Sequence, residues 1–136
     1  MFPVLLLRSQ KIIYGFWINI DEEGRRVENL VASHLLKAVN FWTDCGMGQY
    51  DLWFIRDKEK QEVDFLVSKN KKPWFLVEVK LSSKKGISKK LFYFQNKTGA
   101  KHAFQVVFDM DYIDSDCFVH TKPIIVPART FLSQLV

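Results

Sequence analysis

Two stretches decide the fold: Glu62-Val63-Asp64-Phe65-Leu66-Val67 and, a few residues on, Trp74-Phe75-Leu76-Val77-Glu78-Val79-Lys80-Leu81. Both are rich in β-branched and aromatic residues, and Asn70-Lys71-Lys72 between them reads as a turn, so an antiparallel hairpin is expected. Side chains alternate faces along a strand. Val63, Phe65 and Val67 should share one side with Phe75, Val77, Val79 and Leu81, packed against helices. Asp64, Glu78 and Lys80 then fall on the other face, among Leu66, Trp74 and Leu76. A three-residue loop would pair Lys69 with Pro73 and, counting back, set Asp64 directly opposite Glu78. Two carboxylates facing each other across a ladder repel. A divalent cation is the natural offset, because Mg²⁺ takes hard oxygen ligands and often only one or two carboxylates. Lys80, on the same face, can relieve part of the repulsion. An acid-x-Lys triplet alone is usually one solvated strand face; the opposed Asp64, the apolar strands and the helix upstream are what give it weight.

Working outward, Tyr50 to Arg56 reads as a further strand, closed by the charged turn Asp57-Lys58-Glu59-Lys60. The short loops make the three strands antiparallel neighbours. Upstream lies the glycine-punctuated turn Asp44-Cys45-Gly46-Met47-Gly48. Before it, Val27, Leu30, Val31, Leu35 and Ala38 recur at helical spacing, which predicts a helix from Arg25 to about Phe41 with Asp21-Glu22-Glu23-Gly24 as its start signal. Glu28 sits at the edge of that apolar stripe, where it can face water or lean toward whatever the helix packs on. Downstream, a polar stretch from Ser82 to Lys90 precedes a helix over about Ser88 to Thr98, with Gly99 at the expected stop. Ala103 to Phe108 reads as a strand and so does Ile124 to Val126. Pro127 suits the first turn of a short closing helix that buries Phe131, Leu132 and Leu135. The core order αβββαβ defines an α/β fold with a mixed β-sheet flanked by helices. The expectation is a single domain over 1–136, with its core at about 24–110 and a closing segment at 111–136.

Composition bounds the rest. The 136 residues suit one core, and 48% hydrophobic with 15% aromatic residues is rich enough to leave an apolar surface for a partner. A formal charge of +5 is compatible with a polyanionic partner without requiring one. Cys45, Cys117, His34, His102 and His120 are dispersed and offer no zinc spacing. The apolar start, Met1 to Arg8, is too short for a signal peptide's core, and no stretch has the length of a membrane span, so a cytoplasmic, non-membrane protein is expected. Lys69, Lys71, Lys72, Lys84, Lys85, Lys89 and Lys90 flank the carboxylates in sequence and could hold a phosphate backbone, although solvated loops are the more ordinary home for lysines. Phe92, Tyr93 and Phe94 stand at helical spacing, which assigns them to a core before it assigns them to base stacking. The acids from Asp109 to Asp116 lack the glycine and glutamate of a calcium loop and read as a surface loop. No phosphate-binding GxxxxGK[ST] occurs.

The set Gly24-x-x-x-Glu28-Asn29, Glu62-Val63-Asp64-Phe65 and Val77-Glu78-Val79-Lys80, with the closing Pro127-Ala128-x-x-Phe131-Leu132, resembles a nuclease-like domain of unknown function. That domain is found at the C-terminus of prokaryotic AAA-type ATPases and belongs to the PD-(D/E)XK, restriction-endonuclease-like superfamily. The resemblance runs from about Lys11 to the C-terminus. It implies a restriction-endonuclease-like sheet in which Asp64, Glu78 and the backbone carbonyl of Val79 bind Mg²⁺ or Mn²⁺. It further implies that Lys80 orients or activates the attacking water and stabilises charge on the phosphate, while Glu28 completes the shell directly or through water.

Two functions follow as expectations. One is a metal-dependent phosphodiesterase, a nuclease acting on DNA or RNA. The other is a non-catalytic interaction or dimerisation module that partners an AAA-type ATPase domain or subunit, or a second copy of itself. The first rests on Asp64, Glu78 and Lys80, the second on the aromatic content.

Overall fold

The computed structural model describes residues 4–8, 23–59 and 61–135. The helix start signal at Asp21 and Glu22 and the turn residue Lys60 lie outside them. Six strands form one sheet: β1 (Val4–Arg8), β2 (Tyr50–Asp57), β3 (Glu62–Lys69), β4 (Lys72–Lys80), β5 (His102–Val107) and β6 (Ile124–Pro127). Their order across the sheet is their order in the chain. From β1 to β4 neighbours are antiparallel, and β4–β5 and β5–β6 are parallel. Parallel neighbours need a crossover, and α2 (Lys89–Thr98) supplies the one between β4 and β5. The mixed sheet flanked by helices and the core order αβββαβ are those expected from the sequence. The additional strand β1 comes from the short apolar run near the start of the chain.

The helix α1 (Glu23–Asp44) buries Val31, Ala32, Leu35, Ala38, Val39 and Trp42. These pack with Phe65, Val67, Phe75, Val77, Phe104 and Val106 on one face of the sheet, joined by Phe131 of the short α3 (Ala128–Ser133). On the other face Leu91 and Phe94 of α2 cover Ile55, Val63, Leu66, Leu76 and Ala103. The Ser88 hydroxyl caps α2 by accepting from Lys90 N–H, and Gly99 ends it at φ 74°, in the left-handed region. Of the aromatic run Phe92-Tyr93-Phe94, only Phe94 is buried, and Phe92 is exposed. The closing segment belongs to the same core, since β6 pairs with β5 and Phe131 is fully buried.

Two irregularities correct the simple alternation. At the hairpin the loop has two residues, Asn70 and Lys71, both at positive φ (51° and 69°), and Lys69 pairs with Lys72 rather than Pro73. Mirror-image two-residue turns match the twist of paired strands better than a longer loop does. The ladder then steps from Ser68↔Pro73 to Val67↔Phe75, which leaves Trp74 as an extra residue in β4. This bulge turns Trp74 away from Leu66 and Leu76 onto the α1 face, 5.6 Å from the Trp42 ring and 5.7 Å from Tyr50. The short turn and the bulge cancel, so Phe65 pairs with Val77 as a three-residue loop without a bulge would have it.

The second irregularity lies in β3. Against β2 the pairing steps from Trp53↔Leu66 to Ile55↔Val63, three residues of β3 against two of β2. Val63 is thereby moved to the α2 face with Ile55 and Leu76, and does not share a side with Phe65 and Val67. Leu81 also departs from expectation: β4 ends at Lys80, and Leu81 is 40% exposed.

Candidate functional site

Asp64 stands in the β3 bulge, and an extra residue in a strand re-aims the side chains around it. Its Oδ2 accepts a 2.7 Å hydrogen bond from the Val79 N–H. In a regular antiparallel ladder that amide would bond a main-chain carbonyl; here it faces a carboxylate. A residue's N–H and C=O leave an extended strand by the same edge, so the Val79 carbonyl faces the Asp64 side as well.

Glu78 is 4% exposed and lies beside Gln105 of β5 in the parallel register. Its parity with Leu76 puts it on the α2 face. Asp64 and Glu78 are close enough for one carboxyl to hydrogen-bond the other. Burial holds the Asp64 carboxyl well above the usual carboxylate range, and the neighbouring Glu78 charge raises it further; the Val79 amide and Lys80 pull it back only in part. Glu78 is also raised by burial, against the opposing hydrogen bond from Asp64 and the charges of Lys80 and Lys90. Both carboxyls are therefore pushed toward their protonated forms. Even so, Glu78 Oε2 is buried with no hydrogen-bond partner among the described residues.

Glu28 reaches this pair from the N-terminal part of α1. Burial, and then the Asp64 charge, push its carboxyl up to about 7, with Arg25 acting in the opposite direction. Lys80 ends β4 with its side chain exposed and acts on Asp64, Glu78 and Glu28 through space. Asp64, Glu78 and Val79 are thus brought together, and Glu28 and Lys80 lie within electrostatic reach. Among the described residues no group of three or more His, Cys, Asp or Glu side chains is placed to hold a metal ion, so Glu28 does not join Asp64 and Glu78 as a third converging ligand.

The fit to a divalent cation rests on the donor set. Two neighbouring carboxyls whose charged forms are disfavoured, and an unpartnered buried oxygen on one of them, suit a cation that prefers hard oxygen ligands. The edge of β4 adds a main-chain carbonyl to that set.

Sequence reasoning missed Gln105. It is 1% exposed, its Oε1 accepts from Ser88 N–H and its Nε2 donates to the Gly86 carbonyl, each at 2.8 Å. A polar residue inside the apolar run Ala103 to Phe108 was the available signal. The seven lysines do not form one surface: Lys71 ends the hairpin turn and Lys72 opens β4, whereas Lys84 and Lys85 follow the far end of β4.

Fold and site together define an α/β domain whose mixed sheet carries a carboxylate pair, Glu78 buried and Asp64 half-buried, where its antiparallel and parallel parts meet. The family described as "Domain of unknown function (DUF4143)" matches residues 23–124, and the chain belongs to it. No curated protein and no solved structure matches the chain. Among the described residues no helix is long and apolar enough to cross a membrane.

Proposed function

We propose that this domain is a metal-dependent phosphodiesterase acting on nucleic acid, of the PD-(D/E)XK kind that its motifs resemble. The observation that carries the reading is the partnerless buried Glu78 Oε2 beside the Asp64 carboxyl that the Val79 N–H holds in place. Asp64, Glu78 and the Val79 carbonyl would hold Mg²⁺ or Mn²⁺. When bound, the cation would supply Lewis acidity and a water of lowered pKa. The chain's own groups do the rest. Val79 N–H fixes the Asp64 carboxylate. Lys80 presents a positive charge to a phosphate and orients the water. Glu28, titrating at about 7, can take up or release a proton near neutral pH. Attachment to an AAA-type ATPase, as the resemblance implies, would bring the substrate to this site.

The test is a calorimetric Mn²⁺ titration of the wild type beside Asp64→Asn. One saturable site that the substitution removes is the expected result, followed by cleavage of a nucleic acid that Lys80→Ala slows by about 10²–10⁴-fold while sparing Mn²⁺ affinity. No saturable binding by the wild type would sink the reading.

A second reading, an interaction or dimerisation module, is favoured by one observation. Phe41 (49% exposed) and Met47 (57%) stand close together in sequence at the end of α1 and in the turn after it. A dimeric mass in light scattering that Phe41→Ser makes monomeric would support it; a monomer at all concentrations would remove it.

A further inference from the structure

A cleft of about 510 Å³ opens beside Lys80, between the loop after β4 and the strand β5. Among the described residues its lining includes Lys80, Lys84, Lys85, Leu81, Ile87 and Gln105, with three lysines and no carboxylate. The loop is tied at both ends by side chains rooted in or just beyond β5. Ser83 N–H donates to both Asp109 oxygens at 3.1 and 3.0 Å, and the Gln105 amide holds Ser88 N–H and the Gly86 carbonyl. Between them Gly86 takes φ 71°, a conformation that disfavours side chains. Lysines serving only for solvation need no such anchoring. Three like charges around one cleft repel, and an anion offsets them. The walls between the lysines are largely apolar, with Ile87 packed on the core and Leu81 exposed at the mouth.

A ligand that joins phosphate charge to a flat apolar ring satisfies both features, and the cleft lies within the usual volume range of small-ligand sites. In a duplex each base is paired and stacked, so only an unpaired base could lay its ring against Leu81 and Ile87. We infer that the cleft seats one unpaired nucleotide of a single-stranded nucleic acid, its phosphates among Lys80, Lys84 and Lys85 and its base against Leu81 and Ile87. The inference deepens the phosphodiesterase reading and rests on it for the course of the strand past Asp64 and Glu78.

The experiment is fluorescence anisotropy of the full chain, in EDTA, with a labelled single-stranded oligonucleotide and with its duplex. The single strand should bind at least ~10-fold more tightly than the duplex, about 1.4 kcal/mol. Lys84→Glu with Lys85→Glu should weaken it at least ~10-fold and lower the slope of log Kd against log salt by about 1.4, as expected for two lost phosphate contacts. Leu81→Asp, at an exposed position, should weaken it too. Lys71→Glu with Lys72→Glu, the same charge change at the opposite end of β4, should leave it unchanged. No binding, equal binding of the duplex, or equal loss in both double variants overturns the inference. A cleavage assay with Mn²⁺ separates the two readings. Retained binding without any cleavage by the wild type leaves the cleft and removes the phosphodiesterase; cleavage that Lys84→Glu with Lys85→Glu does not slow at low substrate removes the cleft alone.

Discussion

Burial disfavours the charged forms of both Asp64 and Glu78, and this has consequences without any metal. Asp64→Asn replaces a carboxyl whose charged form burial disfavours with a permanently neutral amide beside Glu78. In metal-free buffer at pH 8 the variant is expected to melt a few degrees higher than the wild type, while losing the Mn²⁺ response. A lower melting temperature would show that the pair is not repulsive. Glu28 gives a second, pH-resolved prediction. Its carboxyl titrates at about 7 in the folded chain against an ordinary value of 4.5. Between those values the native state binds more protons than the unfolded one, so this group's contribution to stability falls as pH rises from about 4.5 to about 7 and is flat above. Glu28→Gln should remove that slope and stabilise the metal-free protein at pH 8 by ~1 kcal/mol, after allowance for solvent screening. Urea denaturation across this pH range measures it; an unchanged slope refutes it.

At the scale of elements, the β3–β4 hairpin shows what patterning can and cannot convey. The pairing of Phe65 with Val77 was legible because the apolar pattern around them demanded it; the ladder ends there, and Asp64 meets the Val79 N–H rather than pairing with Glu78. The route to the Phe65–Val77 pairing was not, since a short turn and a bulge at Trp74 give the same register as a longer turn without one. The β3 bulge was hidden for a related reason: Val63, Phe65 and Val67 are all apolar, and both faces of this sheet are buried, so the sequence carries no mark of which residue changes sides. The helices α1 and α2 were legible from their spacing and from Ser88 and Gly99. Strand β1 was not, because a five-residue apolar run has no period of its own and pairs with residues about fifty positions away. Gln105 was passed over because its role lies in the loop it holds. The hairpin also offers a stability test. Lys71, at φ 69°, occupies the second turn position, where glycine is unstrained. Lys71→Gly should stabilise the domain by roughly 0.5–1 kcal/mol in urea denaturation. Destabilisation would mean that the Lys71 side chain contributes more than its backbone costs.

For the whole molecule, the carboxylate pair makes stability a function of metal. A cation that binds only the folded chain should add about 2.7 kcal/mol at a hundredfold excess over its Kd. Since the carboxyls must be deprotonated to bind a cation and both are pushed toward protonation, the melting shift with Mn²⁺ should be larger at pH 8 than at pH 6. A shift of equal size at both values would place the ion elsewhere. The sheet's order has a further consequence, for kinetics. Strands β2, β3 and β4 are consecutive hairpin neighbours, so their contacts close short loops, whereas β1 joins from the far side of α1 and β5 only after α2. The meander is thus the part that can assemble first, and it brings Asp64 and Glu78 together before the rest of the core forms. Their repulsion is then already present in the transition state. Relieving it with Asp64→Asn should speed refolding and leave unfolding nearly unchanged, a φ-value near one on a chevron plot, so the residues proposed for chemistry would also set how fast the domain forms.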